Sequence, residues 1–205
     1  IFEYAVNAQI DVGDFKAIES FCSERNIKLV VIGPEQPLAD GLADHLRQKG
    51  INVFGPDKEP AKLESSKGFA KEFMRRHRIP TAEYRKFSKG EDQAAHSYID
   101  SHPLPIVLKA DGLAAGKGVI IANTRDEAHK ALDEMFAGKF KEAGDEVVIE
   151  QFLKGEEASI LAITDGKEYF LMSSSQDHKR VLEGDKGANT GGMGAYSPVP
   201  FFDNK

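Results

Sequence analysis

The chain has 205 residues, of which 40% are hydrophobic and 29% charged, and its formal net charge is −6. That is the composition of a globular protein of one or two domains with a real core, and the acidic balance argues against nucleic acid as its main partner. Cys22 is the single cysteine, so an intramolecular disulfide and a thiolate metal cluster are excluded; no apolar run approaches a membrane span, and a reducing cytoplasm is the expected location.

The chain opens at Ile1, without an initiator Met, in a segment that reads as the middle of a domain, so a fragment of a longer parent is expected. Residues 15–26 predict an amphipathic helix with Phe15, Ile18, Phe21 and Cys22 on one face. Lys28-Leu-Val-Val-Ile32, stopped by Gly33-Pro34, predicts a buried strand. Leu38, Leu42 and Leu46 recur at helical spacing across residues 37–49, and Gly50 ends that helix. Ile51-Asn-Val-Phe54 predicts the next strand. Strand, helix and strand within about thirty residues make a βαβ unit of a parallel sheet. Residues 60–77 predict a longer helix with Leu63, Phe69, Phe73 and Met74 as its buried stripe and Ile79-Pro80 as its stop. Its last turn carries Arg75-Arg-His-Arg78, cations suited to the negative end of the helix dipole.

The pattern then changes. Residues 91–100 predict a helix, and Pro105-Ile-Val-Leu108 with Val119-Ile-Ile-Ala122 predict a strand pair. Thr124-Arg-Asp-Glu127 is a capping box that opens a helix to residue 136, and Glu146-Val-Val-Ile-Glu150 reads as a strand. Together these make an α+β module of about seventy residues. Residues 158–164 and 168–172 flank Asp165-Gly166, a hairpin signal. Between Met172 and Val199 there is little periodicity, and Gly, Asn, Asp, Lys and Arg are concentrated. A loop of that length is expected to carry function.

Between the paired strands lies Lys109-Ala-Asp-Gly-Leu-Ala-Ala-Gly-Lys-Gly118. Gly112, Gly116 and Gly118 leave amides able to point at an anion, and Lys109 and Lys117 add compact positive charge, so phosphate is the natural guest. A flexible, solvent-facing turn fits the run equally well. A Walker A loop is excluded, because Gly112 to Gly116 is one residue short, Gly118 stands at the Ser/Thr position and a strand follows. A Rossmann fingerprint fails too, since Gly116-Lys-Gly118 runs into Val119-Ile-Ile.

Three more segments bear on that choice. Leu63-Glu-Ser-Ser-Lys67 sets Lys67 beside a serine pair, which taken alone is a surface lysine on a helix. Glu150-Gln-Phe-Leu-Lys-Gly-Glu156-Glu157 turns at Gly155. It can offer backbone groups and Glu150 to an adenine and a carboxylate to ribose, or be a solvated acidic turn. The third is Ser175-Gln-Asp-His-Lys-Arg180 followed by Gly184-Asp-Lys-Gly-Ala-Asn-Thr-Gly-Gly-Met-Gly-Ala-Tyr-Ser-Pro198.

With Val31-Ile-Gly-Pro-Glu-Gln-Pro-Leu38, Phe54-Gly-Pro56 and Ile79-Pro-Thr-Ala82, these motifs resemble the ATP-grasp ligases and, within them, the glycinamide ribonucleotide synthetase (phosphoribosylamine–glycine ligase) family. They run in the family's order across nearly the whole chain. The resemblance implies an α/β protein of ATP-grasp fold, truncated at both ends: the remnant of a parallel-sheet N-terminal domain over residues 1–62, a lid lobe over 85–153, and part of a catalytic lobe over 63–84 and 154–205. It implies a step of de novo purine biosynthesis in which ATP, glycine and phosphoribosylamine give glycinamide ribonucleotide, ADP and phosphate through a glycyl phosphate, with Mg2+ or Mn2+.

Residue by residue, the resemblance puts Lys67 and Lys109 on the ATP phosphates and makes Gly112, Gly116, Lys117 and Gly118 the flap over them. It puts Glu150 and the backbone of Phe152 and Leu153 at the adenine edge and Glu157 at the ribose. Asp177, Lys179 and Arg180 fall at the phosphoryl-transfer site, and His178, Asn189, Thr190, Gly191, Gly192, Met193 and Gly194 at the substrates. Gly33, Pro34 and Glu35 face the phosphoribosylamine side. No metal ligand is implied within the chain. The acidic and Asn ligands are expected beyond Lys205, so the chain by itself is expected to lack full activity and to need the missing segments of its parent. Ala188 stands where the family usually has proline. A related ATP-grasp carboxylate–amine ligase would keep Lys67, Lys109 and the flap but not residues 176–180 with 189–198. An ATP-binding module without ligase activity is the rival from another class.

Overall fold

The computed structural model describes residues 4–113, 118–184 and 186–202, with the backbone alone described at 141, 142, 188 and 189. The chain divides into two compact units, Ile1–Thr81 with Asp111–Leu113, and Ala82–Ala110 with Ala114–Lys205.

The first unit runs α1 (Phe15–Glu24), β1 (Val30–Val31), α2 (Glu35–Asp40), α3 (Leu42–Gln48), β2 (Val53–Phe54), α4 (Lys58–Ser65) and α5 (Lys67–Arg76). Asp14 opens α1 by accepting from the Ala17 amide. The βαβ unit is present, with β1 and β2 parallel and Val30 opposite Val53. Its core is Ile32, Leu42, Ala43 and Leu46, on which Phe15, Ile18, Leu38, Val30 and Val53 pack. The strand expected to be buried is instead short and one-sided. Val31 is 64% exposed, because the helices cover only one face of this two-stranded sheet.

Both long helices expected here are interrupted. The helix over 37–49 starts earlier, at Glu35, and breaks at Gly41, whose φ of 99° lies in the left-handed region that glycine reaches without a Cβ penalty. The helix over 60–77 breaks at Ser66, which is extended (φ −133°, ψ 113°). Its expected stripe is also displaced. Leu63 is 44% exposed, Phe69, Phe73 and Met74 are half-buried, and Ala61, Gly68 and Lys71 are the buried positions. Lys71 reaches Thr81 Oγ1 at 2.8 Å, so a charged residue occupies the inner face with its ammonium hydrogen-bonded.

The second unit begins with β3 (Tyr84–Ser88), α6 (Asp92–Ser101), β4 (Ile106–Ala110), β5 (Val119–Ala122), α7 (Arg125–Glu134) and β6 (Glu146–Gln151). Its four strands lie in the order β3-β6-β4-β5, all neighbours antiparallel. The β4–β5 hairpin has Ile106 opposite Ala122 and Lys109 opposite Val119, and the Ala110 amide donates to Gly118 O at 2.8 Å beyond it. Strand β3 has no counterpart in the sequence pattern: Tyr-Arg-Lys-Phe shows no apolar alternation, and only Phe87 goes into the core. One sheet face, with Phe87, Ile106, Leu108, Ala110, Ala122, Val147 and Ile149, packs on Ala95 and Ile99 of α6 and Ala128, Ala131 and Leu132 of α7. His96 and His129 join those helices with Nδ1 atoms 2.6 Å apart, and their Nε2 atoms meet Asp133 at 3.0 Å and Asp100 at 2.9 Å.

The expected capping box is formed, Thr124 Oγ1 accepting from the Glu127 amide and the Glu127 carboxylate from the Thr124 amide. After β6, β7 (Ala162–Thr164) and β8 (Tyr169–Leu171) form the hairpin expected around Asp165-Gly166. The segment expected as a long loop is instead β9 (Gln176–Leu182) paired antiparallel with β10 (Lys186–Tyr196). Its ladder uses backbone groups, so a polar, glycine-rich strand with shifted register forms without any apolar alternation.

Thr124→Ala is expected to lower the unfolding free energy by about 1 kcal/mol and Leu132→Ala by about 2–5 kcal/mol, because the first removes a cap and the second opens a core cavity. Urea unfolding followed by circular dichroism measures both, and the reverse order would contradict this account.

Candidate functional site

In the first unit the break at Ser66 makes Lys67 the first residue of α5. Ser66 caps that helix, its Oγ accepting from the Phe69 amide at 3.1 Å and donating to Asp111 Oδ2 at 2.8 Å. The other oxygen of Asp111 accepts from the Gly68 amide at 2.8 Å, and Lys67 Nζ donates to Gly112 O at 2.8 Å. Gly112 has φ 70°, so its carbonyl is turned by a conformation suited to glycine. Asp111 is thus the residue that the functional reading of the sequence passed over. No sequence signal marks it, because the helix start that it meets lies within what the periodicity reads as one continuous helix. Gly33 and Pro34 lead into α2, with Pro34 at its N-cap and Glu35 in its first turn.

In the second unit, Lys109 on β4 and Glu150 on β6 lie on the sheet face opposite the core. Val107 stands across from Glu150 and Val148 from Lys109, which makes the two charged residues diagonal neighbours. They form an ion pair. Glu150 is 4% exposed, and a carboxylate so placed requires a cation to offset its desolvation. Strand β6 ends at Gln151, so Phe152 and Leu153 lie past the last ladder pair.

Further along, Glu157, Asp177 and Lys179 come together. Lys179 Nζ is 2.6 Å from Glu157 Oε1 and 3.6 Å from Asp177 Oδ2. The hydrogen bond that Lys179 donates to Glu157 raises the Lys179 pKa above the usual lysine value; burial opposes this, and the charges of Glu157 and Asp177 reinforce it. Strand alternation puts His178 and Arg180 on the other face. His178 stacks on Tyr196 at 5.6 Å, Tyr196 donates to Gln176, and Arg180 Nη1 donates to Gly187 O at 3.0 Å. Thr190 Oγ1 accepts from the Gly192 amide at 3.0 Å, Met193 is exposed, and Gly191 and Gly194 have open space where a Cβ would stand. The base of this hairpin is closed by buried Ser174, which accepts from Ser197 Oγ and the Val199 amide. Gly118 is buried just outside β5. Gly116 and Lys117 lie outside the described residues, as does the Asn189 side chain.

This architecture belongs to the ATP-grasp class. The chain superimposes on the biotin carboxylase–β,γ-ATP complex of Campylobacter jejuni with a TM-score of 0.69 over 82% of this chain and 38% of that one, at 18% identity, a likeness of fold alone. Residues 1–64 match the family described as Phosphoribosylglycinamide synthetase, N domain, and residues 65–205 its ATP-grasp (A) domain. The chain belongs to the phosphoribosylglycinamide synthetase family. It is 53% identical over 192 residues to the phosphoribosylamine–glycine ligase of Ralstonia nicotianae, covering 93% of this chain and 45% of that protein. The crystal structure of the phosphoribosylamine–glycine ligase from Thermotoga maritima matches with a TM-score of 0.67 at 40% identity, over 72% of this chain and 38% of that one. The chain therefore spans about half the length of the relatives it matches.

Because the folded Lys179 pKa lies above the unfolded one, its contribution to stability is complete below the unfolded value and lost as pH rises through the folded value. Lys179→Met is expected to remove that part of the alkaline loss of stability, measured by denaturant unfolding between about pH 9 and pH 12. An alkaline limb identical to that of the parent chain would contradict the assignment.

Proposed function

We propose that this chain is the ATP-handling part of a phosphoribosylamine–glycine ligase, acting in de novo purine biosynthesis in the cytoplasm. The observation that carries the reading is the Lys109–Glu150 pair on the sheet face away from the core, in a chain of the phosphoribosylglycinamide synthetase family. No helix among the described residues is long and apolar enough to cross a membrane.

The residues fit a nucleotide by their chemistry. Glu150 is buried against a lysine, and strand β6 runs out where the main chain of Phe152 and Leu153 can meet an adenine edge. Lys67 and Lys109 hold the phosphates, with Gly112, Gly116, Lys117 and Gly118 as the flap, and Glu157 meets the ribose. Asp177, Lys179 and Arg180 serve phosphoryl transfer. His178, residues 189–194 and residues 33–35 line the sites for glycine and phosphoribosylamine. The lobe over 85–153 acts as the lid, with 1–62 as the N-terminal domain and 63–84 with 154–205 as the catalytic lobe.

Bound ATP supplies an activated phosphoryl group. The work left to the chain is to neutralise spread negative charge with fixed ammonium groups and to keep water from the acyl phosphate of glycine, so that the amine of phosphoribosylamine is the nucleophile that reaches it. Mg2+ or Mn2+ accompanies the nucleotide. Among the described residues no group of three or more His, Cys, Asp or Glu is placed to hold a metal ion, so no residue here is assigned to it and no step is drawn through it.

The natural gene product carrying this sequence is expected to release ADP only when glycine and phosphoribosylamine are both present. Lys109→Met, made in a Glu150→Gln background so that no uncompensated carboxylate stays buried, is expected to weaken ATP binding about ten- to a hundredfold relative to that background, the range of one or two charge-assisted hydrogen bonds. Isothermal titration and coupled ADP assays measure these. ADP release independent of glycine would overturn the ligase reading, and unchanged ATP affinity would overturn the role of Lys109.

A further inference from the structure

The start of α5 has the form of an anion-binding helix N-terminus, yet a carboxylate of the chain itself already fills it. Of the amides that the first turn leaves without intrahelical partners, that of Gly68 donates to Asp111 Oδ1 and that of Phe69 to Ser66 Oγ. The Ser66 hydroxyl donates a hydrogen bond to Asp111 Oδ2, so it is used in both directions. Asp111 is only 9% exposed, and its charge is offset by two short hydrogen bonds and the positive end of the helix. A phosphate cannot take that place while Asp111 is there. What the helix start can still offer an incoming polyanion is the ammonium of Lys67, the residue between the two that Asp111 grips. That ammonium is in turn held by Gly112 O, one residue after Asp111.

We propose that Asp111 is a positioning residue for nucleotide binding. Its carboxylate locks the Ser66–Gly68 turn and so fixes the point from which Lys67 projects, while excluding phosphate from the helix end. The charge argument supports the same role. A carboxylate near a polyanion would repel it, but one neutralised by a helix end and two donors is a structural anion whose removal exposes the helix dipole and frees the turn. The lysine is then no longer pre-set, and the entropy of ordering it falls on the binding step. This inference rests on the nucleotide reading of the site.

The test is a double-mutant cycle in the natural gene product, with ATP affinity read by isothermal titration and folding checked by thermal unfolding. Asp111→Ala is expected to weaken ATP binding about tenfold, and Asp111→Asn, which keeps the shape and one acceptor, about threefold. In a Lys67→Met background, Asp111→Ala is expected to weaken binding less than twofold further, because Asp111 works through the lysine. Equal losses in the two backgrounds, or no loss with Asp111→Ala alone, would overturn the positioning role while leaving the nucleotide reading intact. Absence of ATP binding by the unsubstituted protein would overturn that reading and this proposal together. If Asp111→Ala does not fold, the same comparison is made with Asp111→Asn, and equal losses in both backgrounds overturn the role in that case also.

Discussion

Between β4 and β6, Leu108 stands opposite Ile149 on one face of the sheet, and Lys109 lies diagonal to Glu150 on the other. Two adjacent strands, each buried along most of its length, thus do two jobs at one register. The residues of one face pack on α6 and α7, and the other face holds the charged pair beside buried Val107 and Val148. A slip of β4 by one residue would put Lys109 into the core and Leu108 on the other face, away from the pairing with Glu150 that the present register allows. The cost of separating a buried carboxylate from its cation therefore adds to the apolar packing in specifying the register. The β4–β5 hairpin inherits its position from that register.

In the first unit the equivalent constraint is the need to satisfy helix ends. Breaks at Gly41 and Ser66 turn two expected helices into four, and each break creates an N-terminus whose amides must find acceptors. At α5 those acceptors are Ser66 and Asp111, so an apparent loss of helix converts a surface lysine into the first residue of a capped helix. The buried position of Lys71, one turn on and hydrogen-bonded to Thr81, has the same origin: once α5 starts at Lys67, its inner face is set by that start rather than by the apolar stripe across the break.

The β9–β10 hairpin joins residues that the sequence places side by side and then separates them by face. Asp177 and Lys179 meet Glu157, whereas His178 stacks on Tyr196 and Arg180 turns to Gly187. Tyr196 enters the neighbourhood of His178 through the strand pairing alone. Family membership in the phosphoribosylglycinamide synthetases and the ATP-grasp fold give these neighbours a common chemical setting, in a chain that spans 45% of a curated relative.

Local signals were sufficient wherever a short-range pattern meets little competition. The capping box at Thr124, the Asp165-Gly166 hairpin, the βαβ order and the strands around the glycine-rich segment all stand as the residues predict. The family was legible as well, because its motifs are contiguous runs of side chains. The breaks at Gly41 and Ser66 and the strands β3, β9 and β10 were not: β3 pairs with a strand some sixty residues on, the α5 start is met by Asp111, and the β9–β10 ladder uses backbone groups that leave no periodicity behind. The same reason explains Asp111. In the sequence it is one residue of a glycine-rich loop, and only the tertiary structure sets its carboxylate on a helix start more than forty residues away, where burial makes every hydrogen bond count.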